Sequence, residues 1–348
     1  MSPIIQTILL ISLGLGTTVT FSSSHWLLAW IGLEINTLAI IPLIAQQHHP
    51  RATEAATKYF LTQAAAAALI LFAAFSNAWI SSQWDISMHL QPISALLIVF
   101  ALSLKLGLAP MHFWLPEVIQ GLDLTTGIIL STWQKLAPFS LLYQIMPSEP
   151  ELISCIAICS ILTGGLGGLN QTQLRKILAY SSIAHLGWIA LALQFNQQMA
   201  LLALLLYIPA TFSIFITLKR ISSTTMNLLA TSWAKVPLLT IITSIILLSL
   251  GGLPPLTGFL PKWFILQEVT KNDIVLMALV AALGALLSLY FYLRLIYAFT
   301  LTISPNTLNS TVYSRTETEE ITPCLAWTLT ISTMALPAAP LILAALCP

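Results

Sequence analysis

Apolar residues fill this chain in runs close to 20 residues or longer, parted by short polar stretches, and a helix needs about 20 apolar residues to cross a bilayer. The runs lack the alternation over about ten residues that marks a membrane barrel. They predict about eleven spans, over residues 3–21, 25–45, 57–80, 91–119, 125–146, 150–170, 174–194, 197–219, 237–270, 274–301 and 324–346. The fourth and ninth exceed what one crossing requires, and both carry Gly and Pro in their middle. Shifting the sequence by 145 residues lays LGLAPMHFWLPE (Leu106 to Glu117) over GGLPPLTGFLPK (Gly251 to Lys262), with five of twelve positions identical. Gly107 matches Gly252, Leu108 matches Leu253, Pro110 matches Pro255, Leu115 matches Leu260 and Pro116 matches Pro261.

The two interrupted spans lie five apart, an odd number, so they cross in opposite directions. That is the pattern of inverted repeats, in which broken helices form a site near the bilayer midplane. The expected fold is an all-α polytopic bundle of about eleven spans. A first five-helix repeat covers 1–147, a second covers 148–302, and 303–348 supplies a loop and a C-terminal transmembrane helix.

Loop charge supports this division. With the N-terminus on side A, Arg51, Lys58, Arg175, Lys176, Lys219, Arg220, Lys235 and Arg315 all fall on that side, and only Lys271 falls opposite. Positive loops stay inside, so the N-terminus is expected inside and the C-terminus outside. The first span has no basic segment before it and reads as a retained helix rather than a signal peptide. Segment 302–322, with Glu317, Glu319 and Glu320, is the longest polar connection, a solvated loop or a contact for a partner.

Composition closes off other classes. At 57% hydrophobic and 7% charged residues, against about 25% charged in a soluble domain, the chain cannot build an aqueous surface, and no soluble catalytic domain is hidden in it. A net charge of +1 argues against a nucleic-acid partner. No GxGxxG or Walker-type loop is present for a nicotinamide or nucleotide. Cys155, Cys159, Cys324 and Cys347 form no CxxC cluster for iron–sulfur or zinc. Cys155 and Cys159, one helical turn apart, read as small hydrophobes in a packed helix, with a metal or redox pair as the alternative.

A few charges remain in apolar surroundings: Glu34, Lys105, Lys135, Lys262 and Arg294. Each costs at least about 2.5 kcal/mol at a helix centre, so such residues pair, face hydrated cavities or serve ion pathways. Glu34, about ten residues into its span, needs a cation beside it, and Lys105 is the expected partner. A fixed ion pair that only orients two helices is the competing reading. Lys135 sits midway along the fifth span with Pro138 one turn later. Lysine takes and gives protons when buried, which makes it a relay candidate; snorkelling to the headgroups is the bland alternative, and is the better reading for Arg294. Lys262 follows the second break directly, and freed backbone groups at that depth must line protein or water. His112 lies inside the first break and His185 inside the seventh span. Imidazole changes charge near neutral pH, while a satisfied packing histidine is the alternative. His25, His48, His49 and His89 read as loop or interface residues. Titratable groups spread over several helices suit proton movement better than carriage of a metabolite.

Three stretches, QTQLRKILAYSSIAHLGW (Gln171 to Trp188), GGLPPLTGFLPKW (Gly251 to Trp263) and WIGLEINTLAIIP (Trp30 to Pro42), resemble the antiporter-like membrane subunits of respiratory complex I. The likeness runs end to end. It implies proton pumping coupled to electron transfer from NADH to ubiquinone in the mitochondrial inner membrane, with the N-terminus on the matrix side and the C-terminus facing the intermembrane space. Flavin mononucleotide, iron–sulfur clusters and ubiquinone are expected in other subunits, so this chain needs no cofactor of its own. The expected partners are the other membrane-arm subunits, neighbouring antiporter-like ones among them, and lipid. By this resemblance Glu34 and Lys105 are a carboxylate–lysine pair, Lys135 a connecting lysine, Lys262 a second-half lysine, and His112 and His185 polar axis positions. In the mechanism it suggests, separating Glu34 from Lys105 sends a proton toward Lys135 and then Lys262. The rivals are a passive scaffold of the membrane arm and an autonomous cation/proton antiporter. The halves differ in chemistry, since Lys105 faces Leu250 and Lys262 faces Glu117 at the same offset.

Overall fold

The computed structural model describes residues 3–47, 49–88, 90–145, 150–234, 236–301, 323–334 and 336–338. His48, His89, Lys235, Cys347 and the acidic stretch 302–322, with Arg315, Glu317, Glu319 and Glu320, lie outside these, as do residues 339–346 of the expected last span. Every regular element among the described residues is a helix, as the apolar pattern predicts. The chain forms two compact units, Met1–Ser160 and Ile161–Pro348.

The first unit holds α1 (Pro3–Ser22), α2 (Trp26–Ile44), α3 (Pro50–Ser81), α4 (Pro92–Leu106), α5 (Trp114–Gly121), α6 (Leu124–Ser131), α7 (Leu136–Ile145) and the start of α8 (Pro150–Gly168). The second continues with α9 (Leu174–Phe195), α10 (Gln197–Ile221), α11 (Met226–Thr231), α12 (Pro237–Gly251), α13 (Phe259–Lys271), α14 (Val275–Thr300) and α15 (Pro323–Met334). Seven of the described helices, α1, α2, α3, α8, α9, α10 and α14, are long and apolar enough to cross a membrane. The other expected spans coincide with interrupted helices or with α15.

Water gives no help in driving helices together inside lipid, so close approach of small residues does the packing. In the first unit α1 lies along α2, α2 along α3, and α3 along α4 and α5. A Cβ on Gly16 would stand 2.4 Å from the Asn36 Oδ1 atom and 2.9 Å from the Gly32 carbonyl, so glycine is what lets α1 and α2 touch. Large apolar side chains face outward instead, Trp79 being 90% exposed. In the second unit α10 packs on α9, α12 and α15, and α12 on α14.

Both expected breaks are present, and they share one backbone solution. Helix α4 ends on Gly107, at φ 81°, and α12 ends on Gly252, at φ 80°, the left-handed conformation that glycine adopts without steric cost. The Gly107 N–H bonds back to the Leu104 carbonyl and the Leu108 N–H to the Ser103 carbonyl at 2.9 Å. Gly252 and Leu253 repeat the pattern on Ser249 at 2.9 Å and Leu248 at 3.3 Å. This double closure satisfies carbonyls that a helix end otherwise leaves open. A cis peptide bond precedes Pro110 and Pro255 alike. The helices begin at Pro92 and Pro237, end at Leu106 and Gly251, and restart at Trp114 and Phe259, so each pair of boundaries keeps the offset of 145.

The fifth expected span, 125–146, is not continuous. A 3₁₀ turn at Trp133–Lys135 separates α6 from α7. Pro138 explains it: proline has no N–H for the Gln134 carbonyl and its ring collides with that group in a regular helix. The Thr132 Oγ1 hydroxyl also bonds the Ile128 carbonyl at 2.7 Å, tying down the end of α6.

Candidate functional site

In the first unit the folding of α4 and the 3₁₀ turn brings two buried lysines to one cavity. Lys105, in the last turn of α4, is 6% exposed, and Lys135, at the end of the 3₁₀ turn, is 4% exposed. Both line a cavity of about 20 Å³ whose wall also includes Asn36, Thr37, Gln63 and Gln134. A water site needs roughly 10–15 Å³, so one or two waters fit. The interruption in the fifth span is what delivers Lys135 there, and the Gln134 Nε2 amide donates to the Asn36 carbonyl at 3.1 Å, clipping the turn to α2.

The polar wall is under-satisfied from within the protein. Lys105 Nζ, Gln63 Nε2 and both amide atoms of Asn36 are buried with no hydrogen-bond partner among the described residues. Each such group costs about 1–3 kcal/mol if left unmade.

Glu34 is half-buried on α2 and is joined to Lys105 by no direct ion pair. Its carboxylate instead accepts from the Thr37 Oγ1 hydroxyl at 2.9 Å, and Thr37 stands in the cavity wall. Glu34 thus adjoins the lysine cavity through one threonine. His112 lies in the first break, buried, with its ring stacked on Phe113 at 4.4 Å and away from the cavity wall.

The second unit holds its lysine differently. Lys262, in the first turn of α13 and 8% exposed, reaches back across the break and donates to the Gly251 carbonyl at 2.9 Å. The last carbonyls of a helix have no intrahelical donor and form its negative end, so the close of α12 is the partner that the sequence did not reveal. His185, on α9, is half-buried beside Tyr207, ring centroids 5.6 Å apart. Both line a cavity of about 30 Å³ with Ser249, Thr257 and Gly258. Thr257 in turn donates to the Ser332 carbonyl of α15.

Other sequence candidates take structural positions. Arg294 donates to the Leu169 carbonyl just beyond α8. His25 and His49 cap α2 and α3, their Nδ1 atoms accepting from Leu27 and Arg51 at 3.2 Å. Cys155 and Cys159 are exposed and unbridged on α8. Among the described residues no three His, Cys, Asp or Glu side chains gather as a metal site.

Asn36, Thr37, Gln63, Gln134, Tyr207 and Thr257 join these cavities without standing out in the sequence. Their signal was slight: uncharged polar residues within apolar runs, of which Gln63, in LTQAAAAALI, stands out most.

These features are those of a multi-pass helical membrane protein with two broken helices and lysines buried at the breaks. The family described as NADH:quinone oxidoreductase/Mrp antiporter, TM, matches residues 23–288, and NADH dehydrogenase subunit 2 C-terminus matches 289–343. The chain belongs to the NADH:quinone oxidoreductase/Mrp antiporter transmembrane family. NADH-ubiquinone oxidoreductase chain 2 of Gadus morhua is 68% identical over 346 residues, 99% of each chain. A chain of respiratory complex I from Thermus thermophilus with bound aureothin is similar at TM-score 0.83 and 29% identity, covering 97% of this chain and 78% of that one. A chain of the Mrp complex from Dietzia sp. DQ12-45-1b shares the fold at TM-score 0.83 and 17% identity, over 96% of this chain and 75% of that one.

Proposed function

We propose that the chain is a proton-translocating membrane-arm subunit of a respiratory NADH:ubiquinone oxidoreductase. It crosses the mitochondrial inner membrane about eleven times, as two inverted five-helix repeats and a final helix, with its N-terminus in the matrix. Other subunits of the complex carry the flavin, iron–sulfur and ubiquinone chemistry, and this chain carries protons.

The observation that supports this most is the single cavity lined by Lys105 and Lys135. A purely structural membrane helix has no need to bury two lysines, each of which costs about 2.5 kcal/mol or more at membrane depth. Two amines on one water-sized cavity can exchange a proton, and both cannot stay charged there without repelling. Glu34, through Thr37, sets the local potential: when its carboxylate is ionised, positive charge is held at Lys105, and when that influence weakens the proton moves to Lys135. Lys262, seated on the end of α12, is a protonation site of the second unit. His112 and His185 belong to the same pathway as break and cavity residues.

The test is the number of protons pumped per NADH oxidised by assembled complex carrying Lys105→Met or Lys262→Met. The expected result is a lower ratio in normally assembled complex. An unchanged ratio sinks the assignment, and loss of assembly alone favours a scaffold.

A further inference from the structure

The cavity between the lysines has a wall that neither lysine explains. Asn36 is 2% exposed and Gln63 is 3% exposed, yet both Asn36 amide atoms and the Gln63 Nε2 atom lack a hydrogen bond among the described residues. Both side chains line the same cavity as Lys105 and Lys135. Buried amides in well-packed interiors are otherwise satisfied. For Asn36 the orientation of the amide does not matter, because oxygen and nitrogen are equally unpaired. The two amides come from different helices, α2 and α3, and each is fixed by packing: Asn36 lies against Gly16 of α1, and Gln63 follows the apolar face that includes Tyr59, Ala66 and Ala67.

A water molecule needs two to four polar partners and roughly 10–15 Å³. The cavity offers about 20 Å³, together with the Gln63 donor, the Asn36 donor and acceptor, and the two lysine amines. We propose that Asn36 and Gln63 are positioning residues that hold and orient one or two waters in this cavity for the transfer between Lys105 and Lys135. The inference rests on the lysine pathway proposed above and adds the two side chains that position its water. Charge and protons balance: the Lys105 ammonium gives a proton to the water, the water gives a different proton to the Lys135 amine, and the chain ends with the same net charge. Gln63 donates to the water oxygen and Asn36 accepts from a water hydrogen, which leaves one water lone pair turned toward Lys105 and one hydrogen toward Lys135.

Two measurements on the assembled complex test this. A density map that resolves ordered water is expected to show water within about 3.2 Å of Gln63 Nε2; a dry cavity overturns the proposal. Proton pumping by Gln63→Leu complex is expected to fall about tenfold, a barrier rise of about 1.4 kcal/mol, with a larger solvent deuterium isotope effect, while Gln63→Asn, which keeps an amide, recovers most of the rate. A merely structural Gln63 would leave the isotope effect unmoved. If Lys105→Met and Lys135→Met abolish pumping while Gln63→Leu pumps at the parental rate with the parental isotope effect, the water-holding role falls and the lysine pathway stands. If the lysine variants pump normally, the pathway itself falls and takes this inference with it. Should Gln63→Leu fail to assemble, the map of the parental complex decides.

Discussion

The two broken helices share a backbone and differ in how each holds its lysine. Both end on a left-handed glycine, at φ 81° for Gly107 and 80° for Gly252, and both restart seven residues later, at Trp114 and Phe259. At the first break Lys105 precedes the glycine and lines a cavity with Lys135, with no hydrogen bond to its amine among the described residues. At the second, Lys262 follows the break and rests on the Gly251 carbonyl at 2.9 Å. An amine facing a water-sized space can change partners, whereas one seated on a helix end is anchored. The repeated backbone supplies a place to keep a charge in the membrane, and the residues around it decide whether that charge is mobile. The position matching Lys262 makes the same point: it is Glu117, which is exposed and paired with Lys58 at 2.7 Å.

Gly258 is where the likeness of the two backbones is most easily destroyed. A Cβ on Gly258 would lie 1.7 Å from the Ser249 carbonyl oxygen, so Gly258→Ala should cost more than about 4 kcal/mol and abolish assembled complex on a native gel. Its counterpart Phe113 is 71% exposed, and Phe113→Ala should leave the assembled fraction unchanged. Next, Gly107→Ala and Gly252→Ala should each lose about 1–2 kcal/mol to left-handed strain, seen as similar falls in the yield of complex. They should part in pumping. The Gly252 Cβ would meet the Lys262 side chain at 3.0 Å, whereas the nearest atom to a Gly107 Cβ is at 3.4 Å on Trp114. Pumping per assembled complex should therefore fall about tenfold only for Gly252→Ala, since small displacements of a reacting group are costly. Smallest is Lys58→Ala. Its ion pairs with Glu54 at 2.6 Å and Glu117 at 2.7 Å are exposed, where solvent screens the attraction, so neither yield nor pumping should change measurably.

The repeat, the helical class and the buried charges were legible because each leaves a local mark: apolar run length, paired Gly and Pro, and charge where charge is costly. The fifth span reads as unbroken even though Pro138 was visible, because proline tells that a helix is disturbed without telling whether it kinks or gives way to a 3₁₀ turn. That choice is made by the Thr132 hydroxyl bond to Ile128 and by the Gln134 amide on α2. Lys262 reads as partnerless because its partner is a main-chain carbonyl, and every residue has one. Asn36 and Gln63 stay hidden for another reason. A neutral amide in an apolar run is only mildly costly, and what singles these two out is a shared cavity that exists only after α2, α3 and α4 have packed.

Lys105 and Lys135, sharing one cavity, act on one proton. The most direct test is the proton-to-NADH ratio of assembled complex carrying Lys105→Met, Lys135→Met, or both. Residues on a single path fail together, so the double variant is expected to match the more severe single variant. A double variant whose loss equals the sum of two independent losses would contradict the shared cavity as the route.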